Sequence, residues 1–392
     1  MRQCFRNNKS IMKGTSPALF APQPVGRPPA KQRVILASLR ADIISGRLPP
    51  GSRIPPRSEL ETRFQASPLT IQRAMDKLVA DGFVRTEARG TYVTERPPHL
   101  RRFGLVFHSR PEDHANWRQF YSALTTAAQT RAAEENEEFT LYYGIDDRGT
   151  HSDFRRLVAD VHASRLGGLI LASNSPLLQR LLTHEPQVPA VSILVGEDAS
   201  HPRFTAVTPD YESFFERACD YLLERQRRQI ALIISPLQYQ SVGGYFQAAI
   251  TKRRLIVPLH HIQMPGLSEA AGAANAVSLL FHQSPAERPN GMIVADDNFL
   301  PFVVSGLLAE GVRVPADLEL VTHANFPSPA ARELPVTRLG FSATVLLERC
   351  VDYFKNRREN PTEPTIIKLP AMFAHELATT ARERKPVVVA AG

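Results

Sequence analysis

Cysteine is nearly absent: Cys4, Cys219 and Cys350 are the only three in 392 residues. An odd number so widely separated offers neither a disulfide framework nor a zinc-binding spacing, and it suits a reducing cytoplasm. No apolar run approaches the length, roughly 18 residues, that a bilayer-crossing helix needs, which excludes an integral helical membrane protein. The opening stretch, Met1 to Pro29, is basic but lacks a continuous apolar core followed by a small-residue cleavage site. No secretory signal is expected there, and Met12 is an alternative first residue. Missing too are a Gly-x-Ser-x-Gly elbow, a Walker loop, a Gly-x-Gly-x-x-Gly after a strand and a His-Glu-x-x-His. His260-His261 is an isolated pair with no third ligand at metal spacing and reads as ordinary strand residues. Neither an enzyme, a cofactor nor a metal site is expected.

What is present is ordinary globular protein, 43% hydrophobic and 22% charged, which excludes a wholly disordered or collagen-like chain. The length predicts two or three domains. The charge is uneven. Residues 1–102 hold 19 Lys and Arg against 7 Asp and Glu, a balance of +12 within a total of +8, so the rest of the chain is mildly acidic. A small basic segment joined to a large acidic body points to a polyanion-binding module attached to something else.

Residues 1–29 carry five prolines and little periodicity and read as a disordered basic tail. Helical spacing starts at Lys31, with Val34, Ile35, Leu39, Ile43 and Ile44 on one stripe, and Gly46 ends it. A second short helix runs from Pro56 through Phe64. Ser67 is a good N-cap and Pro68 a good first residue for a third, which continues to about Asp81. Its apolar face is Ile71, Met75, Leu78 and Val79; its other face carries Leu69, Gln72, Arg73, Asp76 and Lys77. A hairpin follows, 83–86 and 91–94 around Glu87-Ala88-Arg89-Gly90. Three short helices and a hairpin make a winged helix-turn-helix over 30–95, with 96–102 as a linker.

From Phe103 the pattern changes. Continuous apolar strands are expected at 103–107, 139–143, 168–172, 190–194, 230–234, 291–294 and 318–322. Helices are expected at 117–135, 152–164, 211–225, 243–253, 269–282 and 299–310. This alternation predicts an α/β architecture of parallel sheets covered on both faces. Two lobes with a cleft between them accommodate that many units, and ligands then bind at strand carboxyl ends. Residues 381–392 read as a disordered tail.

Residues 31–95 resemble the DNA-binding domain of the GntR family, whose motifs align in order with Ile54-Pro55-Pro56-Arg57-Ser58-Glu59-Leu60, Ser67-Pro68-Leu69-Thr70-Ile71-Gln72-Arg73-Ala74-Met75 and Ala88-Arg89-Gly90-Thr91-Tyr92-Val93. The family's usual arginine positions are held here by Ser58, Pro68 and Gln72, with Arg57 and Arg73 one residue away. Residues 102–380 resemble the ligand-binding domain of LacI-type repressors, related to periplasmic sugar-binding proteins. The matching stretches include Arg165-Leu166-Gly167-Gly168-Leu169-Ile170-Leu171, Ala295-Asp296-Asp297 before a helix, Gly311-Val312-Arg313-Val314-Pro315 and Leu369-Pro370. The resemblance implies lobe 1 at about 103–207 and 326–357 and lobe 2 at about 208–325 and 358–380. The family's Gly-Phe-Asp-Asp reads Thr322-His323-Ala324-Asn325, and the position of a sugar-clasping arginine is Ser241.

In a winged helix the third helix enters the major groove. Arg57, Ser58, Ser67, Thr70, Gln72 and Arg73 are the candidates for reading or positioning there, Lys77 and Arg89 for phosphates, and Gly90 for the wing turn. Candidate ligand residues stand at strand carboxyl ends: Ser109, Arg110, Ser173, Asn174, Tyr239, Ser241 and Asn325. Trp117 is placed either to stack on a sugar ring or to pack in the core; Asp297 either accepts from sugar hydroxyls or caps a helix. The expected whole is a cytoplasmic transcriptional regulator, a homodimer on a palindromic operator of duplex DNA, responding to a small effector, a sugar or derivative. A solute-binding protein or a sugar-processing enzyme with an appended DNA-binding module are the rival readings.

Overall fold

The computed structural model describes residues 30–114, 117–146, 152–185, 188–193, 205–267, 271–328, 333–359 and 365–377. The two expected tails lie outside these residues. Helices α1 (Ala30–Ile44), α2 (Arg57–Phe64) and α3 (Pro68–Ala80) precede an antiparallel hairpin, β1 (Val84–Glu87) and β2 (Gly90–Val93). Ser67 caps α3, its hydroxyl accepting from Thr70 N at 3.3 Å, and Pro68 occupies the first turn where no N–H is needed. The helices close on Ile35, Leu39, Ile43, Leu60, Ile71, Leu78, Phe83 and Val93. Val34 and Ile44 are 61% and 44% exposed and Leu36 is buried instead, so the stripe of α1 is narrower than expected. Val79, expected on the buried face of α3, is 41% exposed. Gly90 has φ +140°, and a Cβ there would stand 2.8 Å from Arg53 Nε, so the wing turn requires glycine.

The expected linker is ordered. Pro98–Arg101 forms α4, which leads directly into β3 (Arg102–Phe107). The chain continues through α5 (Gln119–Glu134), β4 (Glu138–Tyr142), α6 (Ser152–His162), β5 (Gly168–Ala172), α7 (Pro176–His184) and β6 (Ala190–Ser192). Then come β7 (Thr205–Asp210), α8 (Tyr211–Glu224), β8 (Ile230–Ile233), α9 (Pro236–Lys252), β9 (Ile262–Gln263), α10 (Gly272–Phe281), β10 (Gly291–Val294) and α11 (Leu300–Ala309). The last elements are β11 (Glu319–Phe326), β12 (Thr337–Ser342), α12 (Ala343–Glu359), β13 (Ile366–Pro370) and β14 (Met372–Phe373).

The chain divides into two compact units. Unit one takes residues up to His108 together with Asn136–Ala190; unit two takes Ser109–Glu135 and everything from Val191. In unit one, β3 lies between β4 and β5, all parallel, with Phe103 opposite both Phe139 and Gly168. In unit two, β7 pairs in parallel with β13 and with Val191 and Ser192 of β6. A second sheet there runs β14-β12-β11-β10-β8-β9, parallel except for β14. Its strands β8 and β10 are apolar on both faces because helices cover both.

Two expectations need correcting. Helix α9 starts at Pro236, not at 243, because Ser235 accepts from Gln238 N and caps it. His260 and His261 are not strand residues: they stand in a 3-10 turn before β9. There the buried His261 ring bonds the carbonyls of Ile230 and Glu287.

Candidate functional site

On the helical head, the exposed side of α3 carries Leu69, Gln72 and Arg73, and Arg89 stands exposed at the wing turn. Several candidate readers are already tied. Gln72 Nε2 donates to Asp76 Oδ1 at 2.7 Å, and the Ser67 and Thr70 hydroxyls lie 2.9 Å apart at the helix start. Arg57 donates to the Pro68 carbonyl at 2.5 Å and also to Glu61, clamping α2 to the first turn of α3. Ser58 is exposed, and its carbonyl accepts from Thr62 Oγ1. Lys77, expected at a phosphate, is exposed and donates to Asp81 Oδ1 at 2.9 Å. Arg73 and Arg89 are exposed there.

In unit two, a cavity of about 190 Å³ opens where β8, β10 and β11 end. Five segments supply its polar and aromatic lining. The start of α5 supplies Arg118, Phe120 and Tyr121; the end of β7 and start of α8 supply Pro209 and Tyr211. Gln238 enters from the first turn of α9, and the segment after β10 supplies Asp296 and Asn298. His323 and Asn325 come from β11, two residues apart and so on the same face of the strand.

The polar groups there are held rigidly but incompletely satisfied. Gln238 Nε2 donates to the Ala295 carbonyl at 2.9 Å and to Tyr211 Oη at 3.2 Å, leaving its buried Oε1 without a partner among the described residues. His323 is buried, stacked on Tyr211 at 5.9 Å between ring centres, with Phe214 at its edge. Neither of its ring nitrogens makes a hydrogen bond there; Asp297 Oδ1, at 3.9 Å from Nδ1, is too far. Buried polar atoms left this way cost free energy unless something fills the space. Asp296 Oδ1 accepts from the backbone N–H and the amide of Asn298, whose own oxygen accepts from Gln119 N at the head of α5. Burial first, and the neighbouring Asp297 charge second, push the Asp296 carboxyl above its usual range. Burial likewise raises the Tyr211 and Tyr121 phenols.

Of the expected ligand residues in unit two, only Asn325 lines this cavity among the described residues. Asp297 fastens Asn325, accepting from its backbone N–H and its amide at 3.0 Å, and is not the cap of α11, which is Phe299. Asp297 faces a second cavity of about 450 Å³ along α11. Trp117 donates from its indole to Ser122 and packs on Tyr121, so the aromatic lining comes from Phe120 and Tyr121. Tyr239 lies under Gly243 and accepts from Gln247, and Ser241 bonds back to the Leu237 carbonyl, because both are inside α9. Ser109 is buried and Arg110 half-buried in the segment before α5. In unit one, Ser173 donates to the Ile145 carbonyl and Asn174 accepts from Gln179. Gln238 was missed because α9 was started too late. His323 falls outside the expected strand because β11 runs four residues past 322; period two from Asn325 finds it.

Comparison with known proteins sets these features in place. The profile of the bacterial regulatory proteins of the gntR family matches residues 31–93, and that of the periplasmic binding protein-like domain matches residues 219–371. The chain therefore carries a GntR helix-turn-helix domain joined to a LacI-type effector domain, and its homologues are transcriptional regulators, not enzymes. One is the arabinose metabolism transcriptional repressor of Halalkalibacterium halodurans, 20% identical over 91% of this chain and 99% of that protein. Two solved structures share the effector fold. A putative LacI transcriptional regulator from Bacillus cereus subsp. cytotoxis has TM-score 0.54 at 21% identity, over 70% of this chain and 96% of that one. The CelR-cellobiose complex has TM-score 0.53 at 20% identity, over 79% and 90%. The chain thus joins a regulatory helix-turn-helix domain of the gntR type to a periplasmic binding protein-like effector domain.

Proposed function

We propose that this repressor binds a specific operator through α3 and the wing, as a cytoplasmic homodimer, and that a monosaccharide in the unit-two cavity controls that affinity. The observation that carries the effector reading is the set of buried, unpartnered atoms, Gln238 Oε1 and both His323 nitrogens, beside aromatic rings. A neutral imidazole offers one donor and one acceptor, and an amide oxygen offers an acceptor, which matches the alternating needs of sugar hydroxyls. Phe120 and Tyr121 supply faces for the apolar side of a sugar ring. The cavity, about 190 Å³, is below the roughly 300 Å³ at the small end of drug-sized pockets, which favours one sugar ring over two. Arabinose is the first candidate, since a relative spanning nearly the whole chain represses arabinose metabolism. No helix among the described residues is long and apolar enough to cross a membrane.

Calorimetric titration tests this, with arabinose, ribose, glucose and cellobiose, on the native chain and on His323→Phe, which keeps a ring and removes both nitrogens. A monosaccharide binds the native chain at least tenfold more tightly than cellobiose, and the variant loses about 1–3 kcal/mol, the cost of unpaired hydroxyls. Binding of no sugar, or full affinity in the variant, refutes the reading.

A further inference from the structure

The carboxyl end of the recognition helix does not stand free. Asp81, which closes α3, has a side chain only 1% exposed. It accepts from Lys77 at 2.9 Å on its own helix, from Arg40 at 2.5 Å on α1, and from Arg165 at 3.2 Å on the segment between α6 and β5. Arg165 also reaches Asp160 on α6 at 2.7 Å. The other oxygen of Asp160 accepts from the buried Tyr142 hydroxyl at 2.6 Å, at the end of β4. An unbroken line of charged hydrogen bonds thus joins the helical head to the first parallel strands, all within unit one.

The surroundings are equally closed. Phe83 of the head stacks on His99 of α4 with rings 6.1 Å apart, and Pro98 packs 3.5 Å from where a Cβ on Gly82 would stand. Within the head, Arg40 and Lys77 already pair with Asp81. Arg165 is therefore surplus to the head and its use is in docking. Two arginines around one buried carboxylate hold their geometry tightly, since the planar fork pays little entropy per bond and the surroundings screen little.

We propose that the Asp81–Arg165 pair is a joint that fixes the direction of the recognition helix against the first strands, so that the head moves with them as one body instead of hanging from a flexible tether. What that direction serves rests on the repressor reading: a rigidly mounted helix transmits a shift of its support to the operator, whereas a tethered one does not. Arg165 acts as a positioning residue and has no place on the DNA-reading face.

Paired spin labels test the joint. They are placed at Arg33→Cys on α1 and Arg155→Cys on α6, both exposed, in a Cys4→Ser background with Cys219 and Cys350 buried. The otherwise native chain gives one narrow distance distribution. Arg165→Ala and Arg165→Gln broaden it at least twofold, Arg165→Lys restores most of the narrowing, and each variant binds a random 30-base-pair duplex at low salt within about threefold of native. A narrow distribution in both neutral variants overturns the joint, as does a tenfold loss of duplex binding, which would make Arg165 a DNA contact. Failure of the native chain to bind any duplex sinks the repressor reading instead and leaves the distance result to judge the joint alone.

Discussion

Asp296 shows how burial acts on a single carboxyl in the unit-two cavity. Its carboxyl is pushed up by burial and by the Asp297 charge. Between the unfolded value and the raised folded one, the folded chain holds a proton that the unfolded chain has released. The stability this contributes is complete below the ordinary carboxylate range and is lost as pH rises through the folded value. Asp296→Asn mimics the protonated form at every pH. Thermal melts show no gain over the native chain near pH 4 and a gain of a few degrees by pH 8. The same variant binds the effector less tightly at pH 8, because the amide presents a donor where the cavity holds an acceptor. A constant offset across the pH range contradicts this account.

Strand β11 places the site, and its neighbour β12 leaves no room for error. Gly340 pairs with Ala324, between His323 and Asn325, and a Cβ there would fall 1.9 Å from the Ala324 carbonyl oxygen. Gly340→Ala must push the two strands apart. It costs about 3 kcal/mol or more in chemical denaturation and abolishes effector binding; wild-type stability would show that the strands are not so close. The same strand explains what the sequence revealed. Apolar runs such as Gly168–Ala172 and Gly291–Val294 were legible because strands covered on both faces are continuously hydrophobic. The third helix was legible from Ser67-Pro68 at its start and the apolar spacing of Ile71, Met75 and Leu78 along it. β11 was cut short because its second half, His323 to Asn325, is polar while still buried. β7, Thr205–Asp210, was missed for the same reason, ending in polar residues and a proline. Elements without a long apolar run, such as Thr337–Ser342 and Ile366–Pro370, were hidden from periodicity as well.

At the scale of the whole molecule, the chain divides its chemistry along its length. Residues 1–102 carry a balance of +12, and the helix and wing that DNA recognition uses lie there. The remainder is mildly acidic and holds the unit-two cavity with its polar and aromatic lining. Affinity for operator and affinity for effector are then bound to change each other by the same factor. The most direct test is a gel-shift titration of the full chain with genomic fragments against random competitor at physiological salt, with and without arabinose. The account predicts a fragment bound about 10³-fold or more above competitor. It also predicts that saturating sugar changes that affinity by roughly 5–150-fold. Equal binding to fragment and competitor, unmoved by any monosaccharide, would contradict it.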